Sequence, residues 1–481
     1  NEWSALPAKT MKGRGLRNGT AFAVIVPPHR QNSLFTPQIN IQSLRFGEIW
    51  IKMNPNAHSK EERSIKMDVR ALLNANDARL RALYGGEVPA ARYESLADAF
   101  RAHFSREPQA FVSAPGRTEV IGNHTDHNLG RVLAAAVDLD TVAAVAPNGT
   151  SLVTLWSEGY DKSFVVDLAD LSVHEEEKET TYALIRGVAA RLKALGYKVG
   201  GFDACVTSTV FKGSGLSSSA AFEVMLVAVF DALYNGWVVN AKLRAQISQY
   251  AENVFFGKPS GLMDQMASSV GGLVTIDFLP DDPDVRAIQY DFQKKGYAVC
   301  VVTVGGDHGD LTSEYAAITT ELREVCKALG VRVLAETNVE ALNAALPALK
   351  NHVPDRAILR AFHFFDETAR VGEAVAALER DDVRAFLDAL VASGESSWKL
   401  LQNLYVPGSS NQEMPLALEM SRRMLAGRGA WRIHGGGFAG TILAFVPMDM
   451  LDAYRAQMDA VFGAGATVAL SIRPEGAVVL Q

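Results

Sequence analysis

Cysteine is scarce: three residues in 481, at positions 205, 300 and 326. Their odd number and wide spacing suggest neither a disulfide framework nor a thiolate zinc site, and a reducing, cytoplasmic setting fits them best. No apolar run reaches the roughly 18 residues of a membrane span. Basic charge is not in excess. The chain carries 47 Lys and Arg against 54 Asp and Glu, a net charge of −7. That balance argues against a general nucleic-acid surface, because phosphate contacts need clustered cations. Three nucleotide-binding signatures are also missing. No glycine-rich loop ends in the Gly-Lys-Ser/Thr of a P-loop. The H-R-D and D-F-G of protein kinases are absent. No βαβ repeat marks a doubly wound sheet. What remains is a chain expected to act as a monomer on small molecules.

Residues 1–66 differ from the rest, with ten Lys or Arg against four Glu and no Asp, and no sustained period. Position 1 is not Met, and Met53 and Met67 are possible internal starts. The composition would suit a transit peptide, but a basic extension outside the fold is the plainer reading. From Asp68 the pattern is regular. Helical spacing covers 69–85, 181–197, 219–234, 313–329 and 449–463. Strand patterns cover 109–116, ending at Pro-Gly, 131–149, 201–209 and 297–305. Residues 427–447 read as strand, glycine turn, strand. Helices and strands mixed in this way predict an α+β fold, and the length predicts two domains.

The stretch "FKGSGLSSSAAFEVMLVAVFDALY" (211–234) carries the strongest local physics. Gly213 and Gly215 allow a sharp turn and a close ligand approach. Ser217, Ser218 and Ser219 follow at a helix start, where first-turn N–H groups and the helix dipole favour an anion. An ordinary serine-rich helix cap is the alternative. "HGGGFAG" (434–440) satisfies G-x-G-x-x-G only formally, since a strand follows it where a Rossmann turn would open a helix. Asp264 sits among Leu262, Met263 and Met266, so it needs a cation or a shifted pKa, and Arg117 is the cation to propose. Glu252 lies in a helical stretch. In "PGRTEVIGNHTDH" (115–127), His124 and His127 have H-x-x-H spacing, but a metal site would need a further ligand.

In this order, the pieces resemble the GHMP kinase superfamily and, within it, the galactokinases. The first family motif resembles 114–137, the phosphate loop 213–224, the catalytic segment 251–265, a sugar-contacting segment 307–330, and the third motif 432–446. The resemblance spans about 68–481. It implies a two-domain α+β fold, with lobes at 67–285 and 286–481 and an active site in the cleft between them. It implies ATP and magnesium (Mg2+) as cofactors and a sugar 1-kinase acting on D-galactose. Gly213, Gly215, Leu216, Ser217, Ser218 and Ser219 would hold the nucleotide phosphates, and Ser219 and Glu252 the magnesium. Arg117 would face the transferred phosphoryl group and Asp264 the C1 hydroxyl. Asn123, His124, Asp126, Gly261 and Tyr315 would contact the sugar.

The family's first motif usually reads G-R-x-N-L-I-G-E-H-x-D-Y. This chain has Glu119 for the Asn, Asn123 for the Glu and His127 for the Tyr. The resemblance makes position 123 a contact near C6 of the sugar. An amide there weakens a hydroxyl contact by about 1 kcal/mol and removes repulsion towards a C6 carboxylate. Galacturonate is therefore an alternative substrate. A non-catalytic sugar sensor and a metallohydrolase built on the two histidines are the rival classes.

Overall fold

The computed structural model describes residues 67–210, 215–305 and 311–481. The basic extension 1–66 and Gly213 of the phosphate loop lie outside the described residues. The strands are β1 (Ala110–Ile121), β2 (Arg131–Pro147), β3 (Leu152–Ser157), β4 (Phe164–Asp167), β5 (Phe202–Ser208), β6 (Leu273–Asp277), β7 (Asp284–Ile288), β8 (Tyr297–Gly305), β9 (Ala430–Ile433), β10 (Gly440–Pro447), β11 (Thr467–Leu470) and β12 (Val478–Leu480). Among the described residues, no helix is long and apolar enough to cross a membrane.

The larger sheet has the order β12-β1-β2-β5-β3-β4, with the β6–β7 pair joined to β2. Long β2 makes this branching possible. Its first residues pair with β6 (Ala135 opposite Leu273), and its last pair with β5 (Ala144 opposite Cys205). β1 is buried along its whole length, because its two faces pack into different cores. Val112 turns towards Leu184, Val188 and Val224. Its neighbour Phe111 turns the other way, towards Tyr93 and Phe100. The second sheet is antiparallel, in the order β11-β8-β10-β9. A third core bridges the sheets, joining Val120, Ile121 and Leu133 of the first to Val301, Leu443 and Phe445 of the second. Burying these side chains together fixes how the two sheets meet.

The mixture is α+β, as expected, with three local differences. The strand expected to end at Pro115-Gly116 continues to Ile121. The register shifts between Pro115 and Arg117, so the strand bulges where proline has no ladder hydrogen bond to give. The Arg117 N–H leaves the ladder and donates to the Leu216 carbonyl at 2.9 Å. Secondly, the helix expected over 69–85 is two helices, Val69–Ala75 and Asp77–Leu83. Between them the Asn76 amide donates to the Leu72 carbonyl at 2.9 Å, a local competitor of helix continuation. Thirdly, the lobe boundary expected at 285/286 falls inside β7, and β12 returns to β1, so the end of the chain rejoins the first sheet.

Candidate active site

The phosphate loop leads into the helix Ser218–Phe230, which is anchored by a buried run from Glu223 to Phe230. Ser217 precedes it in the left-handed region, with φ 57°, and its side chain does not cap the helix. The hydroxyl donates instead to Asp264 Oδ2 at 2.7 Å. Among the described residues the first-turn N–H groups thus have no cap from Ser217, which favours the anion cradle over an ordinary serine cap. Gly215, at φ 71°, lies against the glycine turn of the second sheet. A Cβ there would sit 2.7 Å from His434 Nδ1 and 2.8 Å from Thr441 Oγ1. Only glycine meets both demands, the positive φ and the close approach.

Arg117 and Asp264 meet as expected. The guanidinium donates from Nε to Oδ1 and from Nη2 to Oδ2, both at 2.7 Å. Its Nη1 donates to the Gly215 carbonyl. Burial pushes the Asp264 carboxyl up, but the Arg117 charge and the bonds from Arg117 and Ser217 outweigh it and hold the carboxyl below its ordinary value. A guanidinium has five N–H donors, so one on each Nη is left for a further acceptor.

Glu252 sits on a π-turn, Ala251–Phe256, that continues the helix Ala241–Tyr250. The residue is buried. It accepts from Lys258 Nζ at 2.9 Å, Ser260 Oγ at 2.5 Å, Gln265 Nε2 at 2.7 Å and Ser219 Oγ at 3.3 Å. Gln265 Nε2 also reaches Glu223 Oε2 at 3.0 Å. Burial first, and the Glu252 charge second, push the Glu223 carboxyl well above its ordinary value. Ser219 and Glu252 offer hydroxyl and carboxylate oxygens, a donor set that fits a hard cation such as magnesium. No cluster of three His, Cys, Asp or Glu side chains able to hold a metal occurs among the described residues. A kinase magnesium needs none, since substrate phosphates complete its coordination.

The loop after β1 packs against the glycine turn 434–440 beside this constellation. His124, with φ 57°, donates from Nε2 to the Gly436 carbonyl at 2.9 Å. Burial pushes its imidazole down, towards the neutral form. His127 is exposed and stacks on His124, with ring centroids 6.4 Å apart. Asp126 lies beside Gly261, where an added Cβ would collide with Asp126 Oδ2. Tyr315 donates to the Gly437 carbonyl at 2.8 Å and packs edge-on against Phe438. Separate stretches of sequence thus meet around one cavity of about 310 Å³, whose lining includes Arg117, Ser217 to Ser219, Asp264 and Tyr315.

Asn123 stands apart from these residues. The resemblance makes it a sugar contact, but it is fully buried and its polar atoms are occupied. Its Nδ2 donates to Glu119 Oε1 at 2.9 Å and to the Gly435 carbonyl at 2.7 Å, and its Oδ1 accepts from Asn403 Nδ2 at 2.8 Å. Its own carbonyl accepts from His363 Nε2 at 2.9 Å. Glu119 is buried as well and accepts from Arg432 Nη2 at 2.9 Å. Two of the departures from the family pattern, Glu119 and Asn123, are therefore in contact. An amide and a carboxylate have changed places within one hydrogen-bonded pair.

Lys258, Gln265, Glu223 and His434 also build the site, and sequence reading misses them although each lies inside one of the family motifs. Buried His434 sits between Thr118 Oγ1 at 3.0 Å and Thr441 Oγ1 at 2.9 Å. Burial, reinforced by the Arg117 and Arg432 charges, pushes its pKa well below the ordinary value. It is a neutral wedge between β1 and the glycine turn.

Comparison with known proteins agrees with this geometry. The galactokinase galactose-binding signature matches residues 98–147, and the GHMP kinase N-terminal domain matches 183–272. A galactokinase of Streptomyces coelicolor is 32% identical over 378 residues, covering 77% of this chain and 93% of that protein. The Lactococcus lactis galactokinase complexed with galactose superposes with a TM-score of 0.70 at 24% identity, over 80% of this chain and 99% of that one. The Methanococcus jannaschii mevalonate kinase shares the fold more distantly, with a TM-score of 0.55 at 14% identity, over 75% of this chain and 98% of that one. The chain belongs to the galactokinase family, within the GHMP kinase fold.

Proposed function

We propose that this protein transfers the γ-phosphoryl group of ATP to the C1 hydroxyl of D-galactose. The observation that carries the reading is the Arg117–Asp264–Ser217 constellation at the mouth of an uncapped helix, next to the loop holding His124 and Asp126. The helix N-terminus and Ser217 to Ser219 receive the phosphates. The two remaining N–H groups of Arg117 stabilise charge on the transferred group. Asp264, ionised and held by Arg117, orients the sugar hydroxyl. With its pKa depressed it is a weak base, so it accepts the proton late, as the O–P bond forms. Ser219 and Glu252 would hold magnesium, which when bound neutralises phosphate charge. His124, Asp126, Gly261 and Tyr315 form the sugar side. Asn123, engaged inside the protein, does not read C6, which removes the reason to place galacturonate beside galactose.

The test is a substrate panel that couples ADP release to product identification by NMR. Galactose 1-phosphate should be the product. Absence of turnover on galactose, with ATP still bound, would instead support a sugar sensor. Turnover confined to galacturonate would reverse the substrate assignment.

A further inference from the structure

Two carboxylates of the site each have one cation. Asp264 has Arg117, and Glu252 has Lys258. The two cations are held very differently. The Arg117 side chain is pinned by three hydrogen bonds and is 9% exposed. Among the described residues, Lys258 makes a single side-chain bond, to Glu252 Oε1 at 2.9 Å, and its side chain is 57% exposed. Its backbone, by contrast, is fixed. The π-turn closes at Gly257 with φ 87°, and the Gly257 and Lys258 N–H groups both donate to the Glu252 carbonyl. Ser260 is then tied to Asn253 and to Glu252 Oε2. A rigid turn thus presents a loose four-carbon stem, and Lys258 lines the same cavity as Ser217 to Ser219 and Asp264.

We infer that Lys258 is a further phosphate-binding residue, which neutralises Glu252 before ATP binds and transfers its ammonium to nucleotide phosphate oxygens when ATP binds. This role rests on the kinase reading above. An ammonium and a divalent cation repel each other at one carboxylate oxygen, so Lys258 leaves Glu252 Oε1 once that carboxylate takes a metal. The anions then nearest are the phosphates at the helix N-terminus, within reach of a flexible ammonium with three donors. Among the described residues, no other lysine lines this cavity.

The experiment measures ATP binding by calorimetry, with EDTA and with magnesium, alongside steady-state kinetics, for wild type, Lys258→Met and Lys258→Arg. Lys258→Met should weaken ATP binding in magnesium at least tenfold, raise the KM for ATP at least fivefold and leave the sugar KM within twofold. Lys258→Arg should recover most of the binding. If wild type binds ATP and Lys258→Met binds it equally in both media, Lys258 is only a surface partner of Glu252 and the inference is overturned. If wild type itself binds no ATP, the kinase reading falls and this inference with it.

Discussion

Asn123→Glu restores the family residue at this position, yet it should damage this protein. The amide donates two hydrogen bonds, to Glu119 Oε1 and to the Gly435 carbonyl, and an ionised carboxylate can donate neither. The Gly435 carbonyl loses its donor and Glu119 Oε1 keeps only Arg432, at about 1 kcal/mol or more for the unpaired carbonyl. The new charge would stand beside buried Glu119, whose Arg432 partner would then serve two carboxylates. Breaking a buried charge arrangement costs about 3–5 kcal/mol, and the same range is expected here. For a folded unit of about 400 residues, 1 kcal/mol corresponds to roughly 1 °C, so Tm should fall by about 3–6 °C. The double variant Glu119→Asn/Asn123→Glu recreates the pair in reverse. It should recover about half of the loss, because Gly435 still presents a carbonyl to the new carboxylate while Arg432 can follow the charge. The assay is a double-mutant cycle on thermal or denaturant midpoints, with a coupling of about 2 kcal/mol expected. If Asn123→Glu is as stable as wild type, or the double variant equals the sum of its singles, the exchanged-pair reasoning is wrong.

Asp264→Asn should lower kcat by about 10²–10⁴ while calorimetry still detects ATP, since the loss falls on hydroxyl orientation and proton acceptance; a variant keeping a tenth of wild-type kcat would contradict the role. The same carboxylate sets a pH expectation. Its folded pKa is depressed, so its contribution to stability is present above the unfolded value of about 3.9 and is lost only as pH falls through the lower folded value. An acid limb in kcat/KM between about pH 5 and 7 that vanishes in Asp264→Asn would refute this. Gly261→Ala drives a methyl group into Asp126 Oδ2, so the carboxylate must move. The sugar KM should rise at least tenfold with the ATP KM within twofold, and the opposite split would place Gly261 on the nucleotide side.

The parts of the site that are legible in the sequence are those whose chemistry is local. A strand, glycines, a serine run and an apolar helix announce the phosphate loop without tertiary information. Asp264 among apolar neighbours announces a need for a cation, and Arg117 supplies it across 147 positions. The supporting residues are hidden because their partners come from elsewhere in the chain. Nothing local distinguishes Lys258 from a solvated lysine or His434 from a turn residue. The strand that runs past Pro115-Gly116 is hidden for the same reason. Its continuation depends on distant Leu216 accepting the N–H that the bulge releases. The H-x-x-H spacing misleads because His124 is committed to Gly436 while His127 faces solvent.

A motif residue can read a substrate only with polar atoms that the fold has not already used. Asn123 has neither N–H to spare, so on the proposed reading the change of the family glutamate to an amide alters the support of the loop and not the sugar it selects. Asp126 is the contrast. Its Oδ1 accepts the His127 N–H at 3.0 Å, while Oδ2 faces Gly261, where no side chain stands in its way. Among the described residues, Arg117 keeps two N–H groups, and Lys258 has two beyond the one it gives Glu252. By this criterion the groups we propose as discriminating are Asp126 on the sugar and Arg117 and Lys258 on the phosphates. The exchange of Glu119 and Asn123 belongs to the framework that holds the first of them in place.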